Sequence, residues 1–204
     1  MQPHEYIRAV TATLSLFATF ALADLAPWQV TGLNTFSPSG RPGSSPNYYI
    51  RVNISNPDPT QSAPAPSNGT QGTVNCNALW LYGDLPYNKI YDCQILDLTT
   101  PTSWAWTFEP LEANDTYPSP TENFDIRWRA ADSAASTEEG VRIWTGYGQF
   151  EVGKNMQGTC AASGFCSWGL KAENRPFPIN VTSVVCQATV EEALHGINCD
   201  LGVD

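Results

Sequence analysis

Histidine is almost absent from this chain, which has two in 204 residues, His4 and His195. His4 lies in a segment that the sequence predicts to be removed, so the mature protein keeps one imidazole. A histidine-based zinc site needs two or three imidazoles, and a serine–histidine–aspartate triad would have to use His195. No G-x-S-x-G elbow occurs either. We interpret His195 as a solvated residue on a terminal helix and predict no catalytic residue, no metal ligand and no cofactor.

Basic residues are also scarce, with 10 Lys and Arg against 20 Asp and Glu and a net charge of −10. No cluster or stripe of Lys and Arg occurs along the chain. Nucleic acids and anionic membranes bind to such stripes, so neither is an expected partner. An excess of acid is typical of a surface that keeps a secreted protein in solution.

Residues 1–23 have the pattern of a secretory signal peptide. Arg8 precedes an apolar run that ends in Ala-Leu-Ala, the A-x-A pattern that signal peptidase accepts. The run is too short for a comfortable membrane span, although an N-terminal anchor is the alternative, and no later stretch approaches the ~20 apolar residues of a span. We predict cleavage before Asp24 and one secreted, extracellular domain over 24–204, with no membrane contact after cleavage.

All six cysteines lie in the predicted mature part, and their spacings do not match the tight C-x₂₋₄-C pairs of zinc sites. An even number of cysteines behind a signal peptide implies disulfides. Sequence alone does not fix their connectivity. Nearest-neighbour pairing is the simplest arrangement: Cys76–Cys93, Cys160–Cys166 and Cys186–Cys199.

Four N-x-S/T sequons support secretion and predict glycosylation at Asn53, Asn68, Asn114 and Asn180. Two of them lie in alternating segments. The apolar residues Val52 and Ile54 alternate with Asn53, so they face the other side of the strand from it. In P-I-N-V-T-S-V-V, Ile179 and Val181 alternate with Asn180 in the same way. Both asparagines are therefore expected on the outer face of a strand, where a glycan is tolerated.

Short alternating segments continue along the chain, separated by Gly, Pro and Asn. About nine strands are predicted, with bulges or bends at Gly32, Gly146 and Gly148, and V-E-E-A-L-H-G-I predicts a short C-terminal helix. We therefore predict an all-β fold, an antiparallel β-barrel or β-sandwich with disulfides. Residues 56–72, rich in Pro, Ser and Thr, are interpreted as an exposed loop within the single domain.

Paired carboxylates could indicate a glycosidase, and exposed tryptophans could indicate a carbohydrate-binding module. Glycosidases need two acids about 5–9.5 Å apart, but the acids here lie on outward strand positions or in loops, which favours a solvated face. The candidates are Glu109, Glu112, Glu122, Asp125 and Glu151. Exposed tryptophans would indicate a carbohydrate-binding module. Trp28, Trp106 and Trp128 share the phase of aliphatic core residues, whereas Trp104, Trp144 and Trp168 stay open.

The segment 158–169, G-T-C-A-A-S-G-F-C-S-W-G, could be a metal knuckle, a redox-active dithiol or a structural staple. Secretion favours the staple. We predict a hairpin end between strands containing Q-F-E-V and S-W-G-L-K-A-E. The bridge would fix the register of the hairpin and the directions of Phe165 and Trp168.

Several motifs follow one another along the chain. They are W-x-V at Trp28, Y-x-I-x-V-x-I from Tyr48, the Cys76/Cys93 pair, W-x-F at Trp106, Y-x-G-x-x-x-F-like segments, and a short-spaced cysteine pair before a strand. This order resembles the fungal secreted β-barrel family typified by the major Alternaria allergen. The resemblance covers roughly Trp28 to Cys186 and departs from the family in chain length, in the 56–72 loop and in the last cysteine pair.

The resemblance implies a non-enzymatic fungal protein exported to the cell wall or host apoplast. Such a protein would act as an effector, elicitor or allergen-like factor by binding an extracellular protein or a cell-wall glycan. A carbohydrate-binding module and a β-sandwich glycan hydrolase are the alternatives. No family motif transfers binding residues to this chain.

Overall fold

The structure is a computed structural model. It describes residues 25–55, 73–87, 89–96, 102–110, 119–132, 140–197 and 199. The predicted signal peptide, the 56–72 loop, Glu112 and the sequons at Asn68 and Asn114 lie outside these residues.

Eleven strands make up most of the described chain, which confirms the predicted all-β class. Their bounds are β1 Trp28–Ser37, β2 Asn47–Ser55, β3 Thr73–Leu81, β4 Tyr91–Ile95, β5 Thr102–Pro110, β6 Asn123–Asp132, β7 Val141–Glu151, β8 Met156–Cys160, β9 Cys166–Leu170, β10 Phe177–Ile179 and β11 Val181–Cys186. A 3₁₀ turn, Ala172–Asn174, and one short helix, α1 Val190–Leu194, complete the described elements.

All named strand pairs are antiparallel and belong to one sheet that curls into a half-barrel. The order is β11-β7-β6-β5-β4-β3-β2-β1-β9-β8, with β10 paired to β1 off this path. From β1 to β7, strands that follow each other in sequence are neighbours in the sheet. Of the two predicted architectures, the sheet is therefore the barrel-like one.

The segment around Asn180 forms two strands, where the sequence predicted one. Ile179 of β10 is opposite Trp28 of β1, whereas Val181 of β11 is opposite Gly146 of β7. The chain changes its pairing partner at Asn180, so no single ladder can continue through it. The predicted facing is confirmed, because Ile179 is buried and Asn180 is exposed.

The inward side chains fill the half-barrel with aromatic rings. The predicted core tryptophans Trp28, Trp106 and Trp128 are buried, and the two left open, Trp104 and Trp144, are buried with them. The largest remaining members of this core are Trp80, Phe108, Phe124, Phe150, Ile50, Ile54, Ile126, Met156 and Ile179.

The predicted bulge at Gly32 is confirmed, whereas Gly146 and Gly148, which were predicted to mark a bulge or a bend, form no bulge. The β1–β2 register shifts between Val30 and Gly32, while the β6–β7 register runs regularly through both later glycines. A Cβ at Gly146 would lie 2.7 Å from Ile179, and a Cβ at Gly148 would lie 2.6 Å from the same side chain. These glycines therefore allow β10 to lie against β7.

The strand before the short-spaced cysteine pair was also assigned wrongly. Q-F-E-V belongs to β7, and a separate strand, β8, pairs with β9. Asn155 accounts for the turn between β7 and β8. Its amide donates to the Gln149 carbonyl at 2.7 Å, and its Oδ1 accepts from the Glu151 N–H at 2.9 Å. The turn is sharp because Gly153 adopts φ +92°.

The predicted C-terminal helix forms and packs on the outer face of β5, β6 and β7. Ala193 and Leu194 are buried against Ala105, Ala131 and Ile143. At the N-terminus of α1, the Thr189 and Glu192 side chains form a capping box. At the other end, the Arg129 guanidinium donates to the Leu194 carbonyl at 3.2 Å. Within the described residues, no helix has the length and apolar character to span a membrane.

Candidate functional site

A row of apolar side chains crosses the outer face of β1, β2 and β3 and reaches the loop of the β8–β9 hairpin. In register, Phe36 is opposite Tyr49, and Tyr49 is opposite Leu79. The centroid of the Phe36 ring lies 5.4 Å from that of Tyr49 and 6.0 Å from that of Phe165. Leu81 follows Leu79 on the same face of β3. We call these five residues the apolar strip.

The apolar strip is open to solvent. Leu79 and Leu81 are each 53% exposed, and Phe165 is 44% exposed. Tyr82, 59% exposed beyond the end of β3, stacks on Tyr48 at a centroid distance of 5.9 Å and is not part of the strip. Single exposed leucines are common on protein surfaces, but contiguous apolar side chains mark interaction sites. The strip is therefore the surface of the described chain that most resembles a binding face.

A polar row lies beside the apolar strip on the same face. The Arg51 guanidinium carbon lies 4.5 Å from the centre of the Tyr49 ring, a cation–π geometry, and its Nε donates to Asn77 Oδ1 at 3.3 Å. On the other side of Arg51, the Asn34 amide donates to Ser167 Oγ at 3.4 Å. These contacts hold one positive charge and two amides at the border of the strip.

The disulfide of the β8–β9 hairpin places Phe165 at the end of the apolar strip. Cys160 and Cys166 are opposed across the hairpin and form the predicted bridge. Inside the loop, the Ala161 N–H donates to the Phe165 carbonyl at 2.8 Å, and Gly164 turns the chain with φ +95°. The predicted use of the bridge is consistent with this geometry, because Phe165 has a fixed place next to β1.

The other two predicted disulfides also form. Cys76 and Cys93 are opposed in the β3–β4 register, and Cys186–Cys199 connects the end of β11 to the chain beyond α1. No free cysteine is left. Among the described residues, no group of three or more His, Cys, Asp or Glu side chains could hold a metal ion.

Two of the candidate acids meet on the outer face of β5 and β6. Glu109 is exposed and directly opposite half-buried Asp125. The Tyr147 hydroxyl donates to Asp125 Oδ2 and accepts from the Gln149 amide at 2.9 Å. Burial raises the pKa of Tyr147, and the hydrogen bond to Asp125 acts in the same direction. The outward facing of both acids is confirmed, although Asp125 is less solvated than the sequence suggested.

The remaining acids do not join this pair. Glu122 lies in the turn before β6. Glu151, half-buried at the end of β7, forms an ion pair with Lys154 at 2.5 Å. In the strand register Glu151 is opposite Asn123 and not opposite either acid of the Glu109–Asp125 pair.

His195 ends α1, where its backbone N–H donates to the Glu191 carbonyl at 3.0 Å. Its side chain is half-buried, so the prediction of a solvated residue is only partly right. The helix packs on the sheet, which shields one side of this residue.

Both sequons that the structure describes lie on the surface. Asn53 is exposed on β2, its Oδ1 accepts from the Asn75 amide at 2.6 Å, and a Cβ at Gly32 would lie 3.2 Å from its Nδ2. The glycine thus leaves room beside the atom that a glycan would modify. Asn180 is exposed at the junction of β10 and β11.

Sequence reasoning did not single out Phe36, Tyr49, Leu79 or Leu81. A signal was present in β3, where both leucines have the outward phase beside buried Ala78 and Trp80. Outward apolar residues on a strand are unfavourable unless something covers them.

Comparison with protein-family models, with curated proteins and with solved structures found no match to this chain.

Proposed function

We propose that this chain is a non-enzymatic, extracellular binding protein that contacts a protein partner through the apolar strip. The observation that carries the proposal is the exposure of Leu79, Leu81 and Phe165 in one continuous row with Phe36 and Tyr49. Removing such side chains from water is worth roughly 25 cal/mol per Å² of apolar surface, so an apolar counterpart would gain affinity there.

The chemistry of the strip favours a protein over a glycan. Leucine side chains stabilise contacts with other apolar side chains, whereas sugar rings stack on exposed aromatic faces. The Phe36 ring faces that of Tyr49 at an interplanar angle of 13°, so each covers part of the other. Six of the seven tryptophans are buried, and Trp168 is half-buried, which leaves no fully exposed indole for stacking.

An extracellular setting and an effector-like role are part of the same proposal. Three disulfides fit an extracellular protein. The predicted signal peptide and the resemblance to the fungal allergen family support secretion by a fungus and an effector, elicitor or allergen-like activity. The partner would then be a protein of the cell wall or of a host apoplast.

Glycan binding is the second candidate, because Asn34, Arg51 and Asn77 provide hydrogen-bonding groups beside Tyr49. Such groups orient sugars in many binding sites. The Glu109–Asp125 pair keeps a hydrolase as a weaker alternative, since the two acids are opposed but lie away from the strip.

The test compares capture by two matched variants. The double variant Leu79→Asp/Leu81→Asp places charges in the strip, while Val185→Asp places a charge on another exposed apolar position, 45% exposed on β11. Each immobilised protein is incubated with extracellular fluid from host tissue and, separately, with chitin, β-glucan and cellulose.

We expect one protein to be retained by wild type and by Val185→Asp but lost from the double variant. Retention on a polysaccharide that survives the double variant and disappears in Tyr49→Ala would favour the glycan alternative instead. Turnover of a polysaccharide that a single Glu109→Gln or Asp125→Asn change abolishes would contradict the non-enzymatic proposal.

A further inference from the structure

The three disulfides differ in how far solvent reaches their cysteines. Cys76 is 0% exposed, and Cys186 and Cys199 are 4% and 8% exposed. Cys160, by contrast, is exposed, and its partner Cys166 is half-buried. Thiol–disulfide exchange begins when a thiolate attacks one sulfur of the bridge, so its rate depends on access to that sulfur. The Cys160–Cys166 bridge is therefore the one with an exposed cysteine for a thiol to attack.

The position of each bridge in the sheet adds to this difference. Cys76–Cys93 joins β3 to β4, which are flanked by β2 and β5, and half-buried Cys93 packs against the core. Cys160 belongs to β8, the last strand of the sheet, which pairs with β9 and has no strand of the described chain on its other side. A thiolate attacks on the side of a sulfur that faces away from the leaving sulfur. At Cys160 that side is the open edge of the sheet, whereas at Cys76–Cys93 neighbouring strands obstruct it.

The same bridge is next to the aromatic residue at the end of the apolar strip. Phe165 immediately precedes Cys166, and its ring centroid lies 6.0 Å from that of Phe36. Inside the loop, the Ala161 N–H donates to the Phe165 carbonyl and the Gly164 N–H donates to the Ala161 carbonyl, both at 2.8 Å. Hydrogen bonds in an exposed turn open easily by local unfolding. The covalent bridge is therefore expected to be the main restraint on the position of Phe165.

We propose that Cys160–Cys166 is a site of reversible reduction, at which an external dithiol opens this bridge while the other two stay closed, and that opening it releases Phe165 from the apolar strip. A thiolate of the dithiol attacks Cys160 Sγ, the S–S bond breaks and Cys166 leaves as a thiolate. The second thiol of the reductant then displaces Cys160 from the mixed disulfide. Two electrons and two protons pass to the bridge, and the reductant leaves as a disulfide.

This exchange site does not depend on the proposed function. Only the consequence for a partner does, because the loss of Phe165 from the apolar strip matters for binding if the strip is the binding surface. The experiments below therefore use the isolated mature chain and no partner.

The first experiment measures the order in which the bridges open. The mature chain is incubated with dithiothreitol for increasing times, free thiols are alkylated after an acid quench, and the labelled peptides are identified by mass spectrometry. We expect Cys160 and Cys166 to be labelled at least about tenfold faster than the other four cysteines. With reduced glutathione, a monothiol, we expect the mixed disulfide to form on Cys160.

The second experiment follows the position of Phe165. A 4-fluorophenylalanine replaces Phe165 in one sample and Phe177, whose ring lies 5.3 Å from that of Phe150, in a control sample. After selective reduction, we expect the ¹⁹F signal from position 165 to narrow and move towards its value in the unfolded chain, while the signal from position 177 stays unchanged. The double variant Cys160→Ser/Cys166→Ser should give the same signal at position 165 without reductant.

Two results would overturn the proposal. Labelling of Cys93 or of the Cys186/Cys199 pair as early as that of Cys160 would show that exposure at the sheet edge does not select the bridge. An unchanged ¹⁹F signal at position 165 after reduction, and in the double serine variant, would show that the hairpin holds Phe165 without the bridge. Neither outcome depends on whether a protein partner binds the apolar strip, so the two proposals can fail separately.

Discussion

The outer surface of the sheet has two apolar patches, of which one is covered by a helix and the other is exposed to solvent. On β5, β6 and β7, the residues Ala105, Ala131 and Ile143 are covered by α1, whose position is fixed by the Cys186–Cys199 bridge. On β1, β2 and β3, the apolar strip has no such cover among the described elements, and Leu79 and Leu81 remain about half exposed.

The covered patch and the uncovered patch are expected to contribute differently to the stability of the fold. A covered patch contributes to the free energy of folding, because its apolar surface leaves water when the chain folds. An uncovered patch contributes little to folding and carries a risk of aggregation. The proposal of a protein partner rests on this contrast, because the leucines of the apolar strip stay about half exposed while the other patch is covered.

The largest expected contrast comes from truncating one leucine in each patch. Leu194→Ala removes a buried side chain from α1 and should cost about 2–5 kcal/mol of unfolding free energy. Leu79→Ala, in the strip, should change it by less than about 0.5 kcal/mol. Urea unfolding of both variants measures this contrast, and equal losses would show that the strip is part of the core.

Removing the Cys186–Cys199 disulfide beside α1 is expected to have the next largest effect on the free energy of unfolding. Replacing Cys186 and Cys199 by Ser should cost about 2–4 kcal/mol, because the cross-link restricts the unfolded chain over a separation of 13 residues. The variant should also expose the covered patch. Increased fluorescence of an apolar dye at temperatures below the melting transition would report this exposure, and an unchanged signal would mean that α1 stays docked without the bridge.

A smaller stability effect is expected for the disulfide at the end of the strip. Cys160 and Cys166 are separated by only 6 residues, so their replacement by Ser should cost at most about 2 kcal/mol. Removing Cys76–Cys93, with a separation of 17 and a fully buried Cys76, should cost more. Thermal melts that reverse this ranking would refute it. Binding of the partner should nevertheless weaken in the first variant, because Phe165 loses its fixed position.

The smallest effect concerns the cap of the covering helix. The Thr189 backbone N–H and hydroxyl donate to the Glu192 carboxylate at 2.9 and 2.8 Å and lower its pKa. A carboxyl whose pKa is lower in the folded state stabilises the fold above its ordinary pKa of 4.5, and this contribution is lost as pH falls through the folded-state value.

The cap can be isolated with Glu192→Gln, which cannot ionise. Wild type should be more stable than this variant near pH 6, and the difference should shrink near about pH 3. Urea midpoints at the two pH values measure it. A difference that does not depend on pH would mean that ionisation of Glu192 has no part in holding α1.

Alternation in the sequence predicted which residues face the interior. The cysteine spacing left the connectivity open, and nearest-neighbour pairing, the simplest arrangement, matches all three bridges. Strand pairing was harder, because it depends on distant partners. The change of partner at Asn180 follows from contacts with Trp28 and Gly146, which lie far away in sequence. Likewise, β8 is short and bears Gly158, so its local pattern is weak.

The candidate site likewise depends on pairing between strands, which the sequence of one strand does not predict. Each strand by itself places Tyr49, Leu79 or Leu81 outward, but only the register brings Tyr49 beside Leu79 and Phe36. Phe165 joins them because the β8–β9 hairpin pairs with the end of β1. The strip is a property of the tertiary fold, and single-strand patterns do not reveal it.

Photo-cross-linking tests the central claim most directly. A benzophenone-bearing residue replaces Leu81 in one protein and Val185 in another, and both are irradiated in host extracellular fluid. We predict a discrete protein adduct from position 81 and none from position 185. An adduct of equal yield from position 185, or no protein adduct from position 81, would contradict the assignment of the apolar strip as the binding surface.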